Sequence, residues 1–338
     1  MFEADRHAHR NPFALALCVL VACSDESDGG SRIQCQEEES QSAESRLQQK
    51  VIYGNDNRIE AEELLCTPLA NSVLATSMLV DRFQVKVQPS GEVELLGGPL
   101  ANQGLCEDER FASQKSAGFC SGVLIGRRTV LTAEHCVAAL NSCERLRFIF
   151  GYRTEAGGQP SLTTRDVYAC DSVTHAFASR EGSPQPDIEI EYAVVRLDRE
   201  VTVASPVPLA SLPTPEPGEP VALIGHTEGL PAKADLNGVW QPATEPSDGA
   251  LLPLKVDAFG GSSGGGLFDR QGRLVGILVA GSTDYFEDRS AGCFRANKLS
   301  QDGPETEFAV PVSYLWSALC EGSDPPAEVC EPAGRHSE

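Results

Sequence analysis

An all-β fold of many short strands is what this sequence predicts, and three observations carry the prediction. Apolar runs with strand character recur at residues 122–125, 129–133, 146–150, 192–197, 220–224 and 274–279. Clusters of Gly, Pro and Asp separate them, and regular short strands with turn punctuation indicate a sandwich or barrel. Residues 267–274, Leu-Phe-Asp-Arg-Gln-Gly-Arg-Leu, read as a hairpin with its turn at 269–272. Around these strands, residues 61–65 start a short helix that Pro68 limits. Residues 308–312 form a last strand, and 313–320 form a short C-terminal helix. At 338 residues the chain is long enough for two packed barrels.

Acidic residues outnumber basic ones 49 to 27, for a formal net charge of −22. Phosphate binding needs clustered Lys and Arg, so no nucleic-acid partner is expected. The charge reads instead as solubility outside the cell. Residues 12–22 are one apolar run, too short for a comfortable membrane span. Arg6 and Arg10 precede it, diluted by Glu3 and Asp5, and it reads as a secretory signal segment. It ends Leu20-Val21-Ala22-Cys23, which resembles the cleavage box of bacterial lipoproteins. That resemblance implies a lipid on Cys23 and a membrane anchor; an ordinary signal peptide cut nearby is the alternative. Residues 1–23 are therefore expected to be the targeting segment, and 24–50 an acidic disordered tether or propeptide. Residues 51–320 are the folded domain, and 321–338 a loose Pro- and Glu-rich tail.

Cys18 and Cys23 belong to the targeting segment, leaving ten of the twelve cysteines. These contain no CxxC pair and no zinc-type Cys/His set, so neither a metal nor another cofactor is expected. An even, scattered number fits disulfides and an oxidising compartment. Cys143 with Cys170 and Cys320 with Cys330 are close enough in sequence to pair, but sequence does not determine connectivity.

The chemistry centres on residues 260–266, Gly-Gly-Ser-Ser-Gly-Gly-Gly. Glycines beside a serine allow tight φ/ψ values, so that consecutive N–H groups converge next to the hydroxyl. A tetrahedral acyl intermediate needs such a nest of donors. A flexible linker has the same composition, but this run lies between the strand-like segments 251–256 and 267–268. A base is offered by His135 in Thr-Val-Leu-Thr-Ala-Glu-His-Cys, residues 129–136. Cys136 follows it and Cys120 lies one strand earlier; a bridge between them would fix the imidazole. The other histidines of the folded part are His175 and His226, and His226, at a strand end, reads as structural.

Residues 120–125 followed by 130–136 resemble the histidine block of trypsin/chymotrypsin-like serine peptidases, and Gly261-Ser262-Ser263-Gly264-Gly265 resembles their serine block. The resemblance covers roughly residues 110–315. It implies a chymotrypsin-like double β-barrel with the catalytic cleft between the barrels, Ser263 as nucleophile and His135 as general base. It also implies an oxyanion hole from the N–H groups of Gly261 and Ser263, and a bridge between Cys120 and Cys136. The family's acid lies in an Asp-x-Ala frame, which Glu191-Tyr192-Ala193 fits with a longer side chain. Asp187, Glu189 or no acid at all are the alternatives. Ser262 stands where animal trypsins carry the aspartate that receives the N-terminus freed on activation. Glu134 stands where the family has Ala or Gly, and must be paired, solvated or an influence on His135.

Residues 51–58, Val-Ile-Tyr-Gly-Asn-Asp-Asn-Arg, resemble the mature N-terminus of bacterial glutamyl endopeptidases, which implies processing after Lys50. Their glutamate-binding residues are not matched: Ala258 and Leu278 stand where that branch has Thr and His. Asp257 lies where trypsins hold the acid for basic side chains, with Ala258, Ala280 and Gly281 as further pocket walls. The implied function is a secreted or cell-envelope serine endopeptidase acting on proteins or peptides. The competing expectation is a catalytically inert homologue that binds at the cell surface.

Overall fold

The computed structural model describes residues 52–154, 158, 161–181, 183, 188–210, 215–243, 249–320 and 327–330. The targeting segment with Cys23, the tether 24–50, Val51 and Asp187 lie outside the described residues.

Six strands form the first barrel: β1 (Thr76–Asp81), β2 (Cys120–Gly126), β3 (Thr129–Thr132), β4 (Leu146–Phe150), β5 (Val167–Ser179) and β6 (Ile190–Leu197). They close in the order β4-β5-β6-β3-β2-β1. Every residue of β2 and β3 is buried, so these strands read as continuous apolar runs. Phe148, Phe150 and Leu124 are wholly buried, and each such side chain contributes roughly 1.5–3 kcal/mol on leaving water.

The second barrel has β7 (Pro220–Gly225), β8 (Lys233–Trp240), β9 (Leu252–Lys255), β10 (Gly266–Phe268), β11 (Leu274–Ala280) and β12 (Glu307–Pro311). Their order is β7-β10-β11-β12-β9-β8, and pairing of β7 with β8 closes the ring. Ile59–Glu60 adds to the free edge of β8. The β10–β11 hairpin turns where expected: Gly272 donates its N–H to the Asp269 carbonyl at 3.0 Å, with φ of 75°. A chymotrypsin-like double barrel is thus the observed fold.

Besides the short helix Ala70–Ala75, two helices among the described residues flank the barrels. α1 (Glu134–Ala138) follows β3 directly, and α2 (Val312–Cys320) follows β12 and packs on β11. Residues 61–64 wind as a 3₁₀ turn rather than an α-helix. Within the segment expected to be a loose tail, Ala327–Cys330 forms a helical turn joined to α2 by the Cys320–Cys330 disulfide. Among the described residues no helix is long and apolar enough to cross a membrane.

The disulfides Cys120–Cys136, Cys143–Cys170 and Cys320–Cys330 are present. Cys106–Cys293 was not anticipated; it joins residues 187 apart in sequence. Cys66 is also disulfide-bonded. Several bridges in one domain fit an exported protein.

Candidate active site

His135 is the second residue of α1, a helix that begins as soon as β3 leaves the barrel wall. Cys136, the next residue, is tied to Cys120 at the start of β2. Glu191 sits near the start of β6 and is 7% exposed. Its two carboxylate oxygens divide the work. One lies 2.6 Å from His135 Nδ1, and the other accepts the His135 backbone N–H at 2.8 Å. The longer side chain thus orients the ring and anchors the backbone that carries it. Of the alternative acids, Glu189 pairs with Arg180 at 3.3 Å. Glu134 is half-buried, so water reaches its carboxylate.

Ser263 follows β9 on a turn of the second barrel, and one first-barrel residue holds that turn. The Ser121 N–H donates to the Ser263 carbonyl at 2.8 Å, and Ser121 Oγ donates to the Gly261 carbonyl at 2.7 Å. Ser121 Oγ also accepts the His226 N–H at 2.7 Å. The Ser263 carbonyl lies 3.7 Å from the Cys136 sulfur, which brings the serine turn against the residue after His135.

The N–H groups of Ser262, Gly264 and Gly265 donate to Phe259, Leu278 and Ser262 carbonyls. Those of Gly261 and Ser263 donate to no acceptor among the described residues. Two free donors flanking a serine hydroxyl are what an oxyanion requires. Glycine is needed at both bends. Gly261 has φ of 84°, and a Cβ there would lie 2.6 Å from the His226 carbonyl. At Gly264, φ is 76°, and a Cβ would meet the Ser121 carbonyl at 2.2 Å.

The expectation that Asp257 meets a substrate side chain is corrected by its surroundings. It is 3% exposed. One oxygen accepts the Tyr53 N–H at 3.0 Å and the other the Asn57 N–H at 2.7 Å. Burial, and then the nearby Asp235 carboxylate, push it well above the usual carboxylate range. Asp257 thus holds the N-terminal segment. Ala258 is buried as well, while Gly281 is exposed.

Glu307, which sequence reasoning passed over, fills the space before Gly281: Oε2 is 1.5 Å from where a Gly281 Cβ would stand. Its other oxygen accepts from the Ser282 N–H at 3.2 Å and the Tyr53 hydroxyl at 3.3 Å. Burial pushes its pKa up to about 8. A Glu immediately before the apolar run 308–312 was the available signal.

His226 is structural. It is buried, stacked on Tyr152 and pushed down to about 4 by burial. Cys120, His135 and Cys136 have ligand atoms within 4.8 Å of one another, but both sulfurs are spent in a disulfide, and metal binding needs thiolates.

The chain is similar in fold to the Rv3671c protease of M. tuberculosis in its inactive form, at 14% identity and a TM-score of 0.42, covering 75% of this chain and 91% of that one. It is also similar to the Vibrio cholerae VesB protease, at 17% identity and a TM-score of 0.44, covering 77% of this chain and 64% of that one. No curated protein sequence matches it. The family model for the trypsin-like peptidase domain matches residues 120–277. That match runs from Cys120 through His135, Glu191 and Ser263, so this part of the chain is similar to trypsin-like peptidase domains.

Proposed function

We propose that this protein is an exported serine endopeptidase that hydrolyses peptide bonds through Ser263, His135 and Glu191. The observation that carries the reading is the double grip of Glu191 on His135. A carboxylate on Nδ1 holds the tautomer whose Nε2 can take a proton, and stabilises the imidazolium that results. Ser263 Oγ attacks the scissile carbonyl carbon, and its proton passes to His135. The oxyanion is received by the N–H groups of Gly261 and Ser263. Collapse breaks the C–N bond, and His135 delivers the proton to the leaving amine. Water, deprotonated by His135, then cleaves the acyl-enzyme ester and restores Ser263.

The experiment is covalent labelling with a fluorophosphonate probe, located by mass spectrometry, beside a Ser263→Ala control. Label confined to Ser263, with loss of peptidase activity in the variant, is the expected result. A folded, disulfide-bonded chain without label would move the reading to a surface binding protein on a peptidase scaffold.

A further inference from the structure

The serine turn is braced from below by a charge that the reaction itself does not use. Arg58 is 1% exposed, an expensive place for a guanidinium unless it is paired. Its Nε and Nη2 donate to the two oxygens of Asp56 at 3.0 and 2.9 Å. Its guanidinium carbon lies 4.6 Å from the centre of the Phe259 ring and 5.1 Å from that of Phe111. Phe259 is part of the serine turn. Its carbonyl accepts the Ser262 N–H at 2.9 Å, and its N–H donates to Ser262 Oγ at 3.4 Å. Arg58 and Ser262 also line one small cavity, of about 10 Å³, together with Asp257 and Thr227. The guanidinium is therefore packed against the Phe259 ring of the turn that carries the Gly261 and Ser263 N–H groups.

The neighbouring contacts do not need a chain end. Asp257 is met by the backbone N–H groups of Tyr53 and Asn57. Both are interior amides, present whether or not the chain is cut before Val51. The buried positive charge that lines a cavity with Ser262 comes from a side chain of the same segment, residues 53–58. We propose that Arg58 is a positioning residue for the oxyanion turn, holding residues 257–263 in their working shape so that activity requires neither a cut at the Lys50-Val51 bond nor a free α-amine. The inference rests on the peptidase reading above, and deepens it.

The test uses the full exported chain with Lys50→Gln to block that cut, and the variants Arg58→Met and Arg58→Lys. The uncut chain labels at Ser263 at the wild-type rate. Arg58→Met loses about 100-fold in kcat with little change in KM, the scale of a misplaced oxyanion donor. Arg58→Lys supplies a charge that can be lost. A buried lysine titrates below its ordinary range, so this variant works at neutral pH and fails as pH rises, with a midpoint between about 8 and 10. Wild type lacks that limb, because a guanidinium keeps its proton throughout. The groups facing Arg58 are Asp56, Asp235, Asp257, Lys233, Arg110 and Tyr285. All are present in both chains, so the difference between the two profiles belongs to residue 58. Wild-type kcat and an unchanged alkaline profile in folded Arg58→Lys would overturn the proposal. So would labelling that appears only after cleavage before Val51. If neither cut nor uncut wild-type chain labels, the peptidase reading itself has failed.

Discussion

Around His135 the protein relies on apolar packing and a covalent tie, whereas around Ser263 it relies on buried charge. In the strands of the first barrel, the one buried charged side chain among the described residues is Glu191. The histidine helix is further fixed by Cys120–Cys136. In and against the second barrel, Arg58, Lys233, Asp235, Asp257 and Glu307 are all buried. Lys233 pairs with Glu60 at 2.9 Å, and the Asp235 carboxylate accepts the N–H groups of Asn237 and Asp257. An apolar wall holds its shape across pH, while a buried polar network holds only while each member keeps its partner and its charge state. The proposed base, His135, therefore sits on the insensitive half of the molecule and the proposed nucleophile, Ser263, on the sensitive half.

The largest expected effect breaks the histidine side. Glu191→Gln removes the charge that stabilises the imidazolium, and kcat/KM for casein hydrolysis falls about 10⁴-fold in a chain that still folds. Glu191→Asp, which keeps the charge, retains more activity than Glu191→Gln. An unchanged rate in the glutamine variant would remove Glu191 from the triad.

Next in size is the tie itself. Replacing Cys120 and Cys136 with serine frees a loop of 16 residues and lowers stability by about 3 kcal/mol in the chain-entropy model, read as a lower denaturation midpoint in guanidinium. A variant as stable as wild type would show that packing alone fixes the histidine helix.

Acidity sharpens the contrast between the barrels. Glu307 has an ordinary value of 4.5 and is raised to about 8 by burial. The folded state holds this proton longer than the unfolded state does. Its contribution is thus full below pH 4.5 and is lost as pH rises through 8. The loss is on the order of a few kcal/mol. Glu307→Gln removes that slope, so the variant's melting temperature falls less than wild type's between about pH 5 and about pH 8.5. Parallel curves would assign the alkaline sensitivity elsewhere.

The smallest expected effect lies on the link between the halves. Ser121→Ala deletes the hydroxyl that bonds Gly261 and His226, worth about 1 kcal/mol, and kcat falls roughly 5- to 10-fold with KM unchanged. A KM effect instead would mean that Ser121 shapes substrate binding rather than the oxyanion turn.

The strands that were legible in the sequence are those with unbroken apolar runs, such as β4 and β11. β5 was missed because register shifts between Cys170 and Ser172 and between Val173 and His175 break its alternation. β8 was missed because Lys233 and Asp235 look like loop residues until their partners are known. At the site, His135, Gly261 and Ser263 lie in local motifs that the sequence shows, whereas the frame around Glu191 left Asp187, Glu189 or no acid open until its contacts with His135 were seen. Asp257 could not, because its partners Tyr53 and Asn57 are about 200 positions away, and single-sequence patterns carry no long-range pairing. The packing of Arg58 on Phe259 was hidden for the same reason, since the two are about 200 positions apart.

That separation also sets a timetable. Ile52 and Tyr53 pair with Lys298 and Leu299, so the earliest-made strand of the domain waits for nearly the latest. At about 5–20 residues per second of synthesis, the wait is roughly 12–50 s. Over that interval the first barrel and its His135–Glu191 pair can form, while the serine turn lacks the segment that carries Arg58. A growing chain therefore reaches a folded histidine half long before a complete site, and the proposed hydrolytic activity is withheld until almost all of the domain has been made.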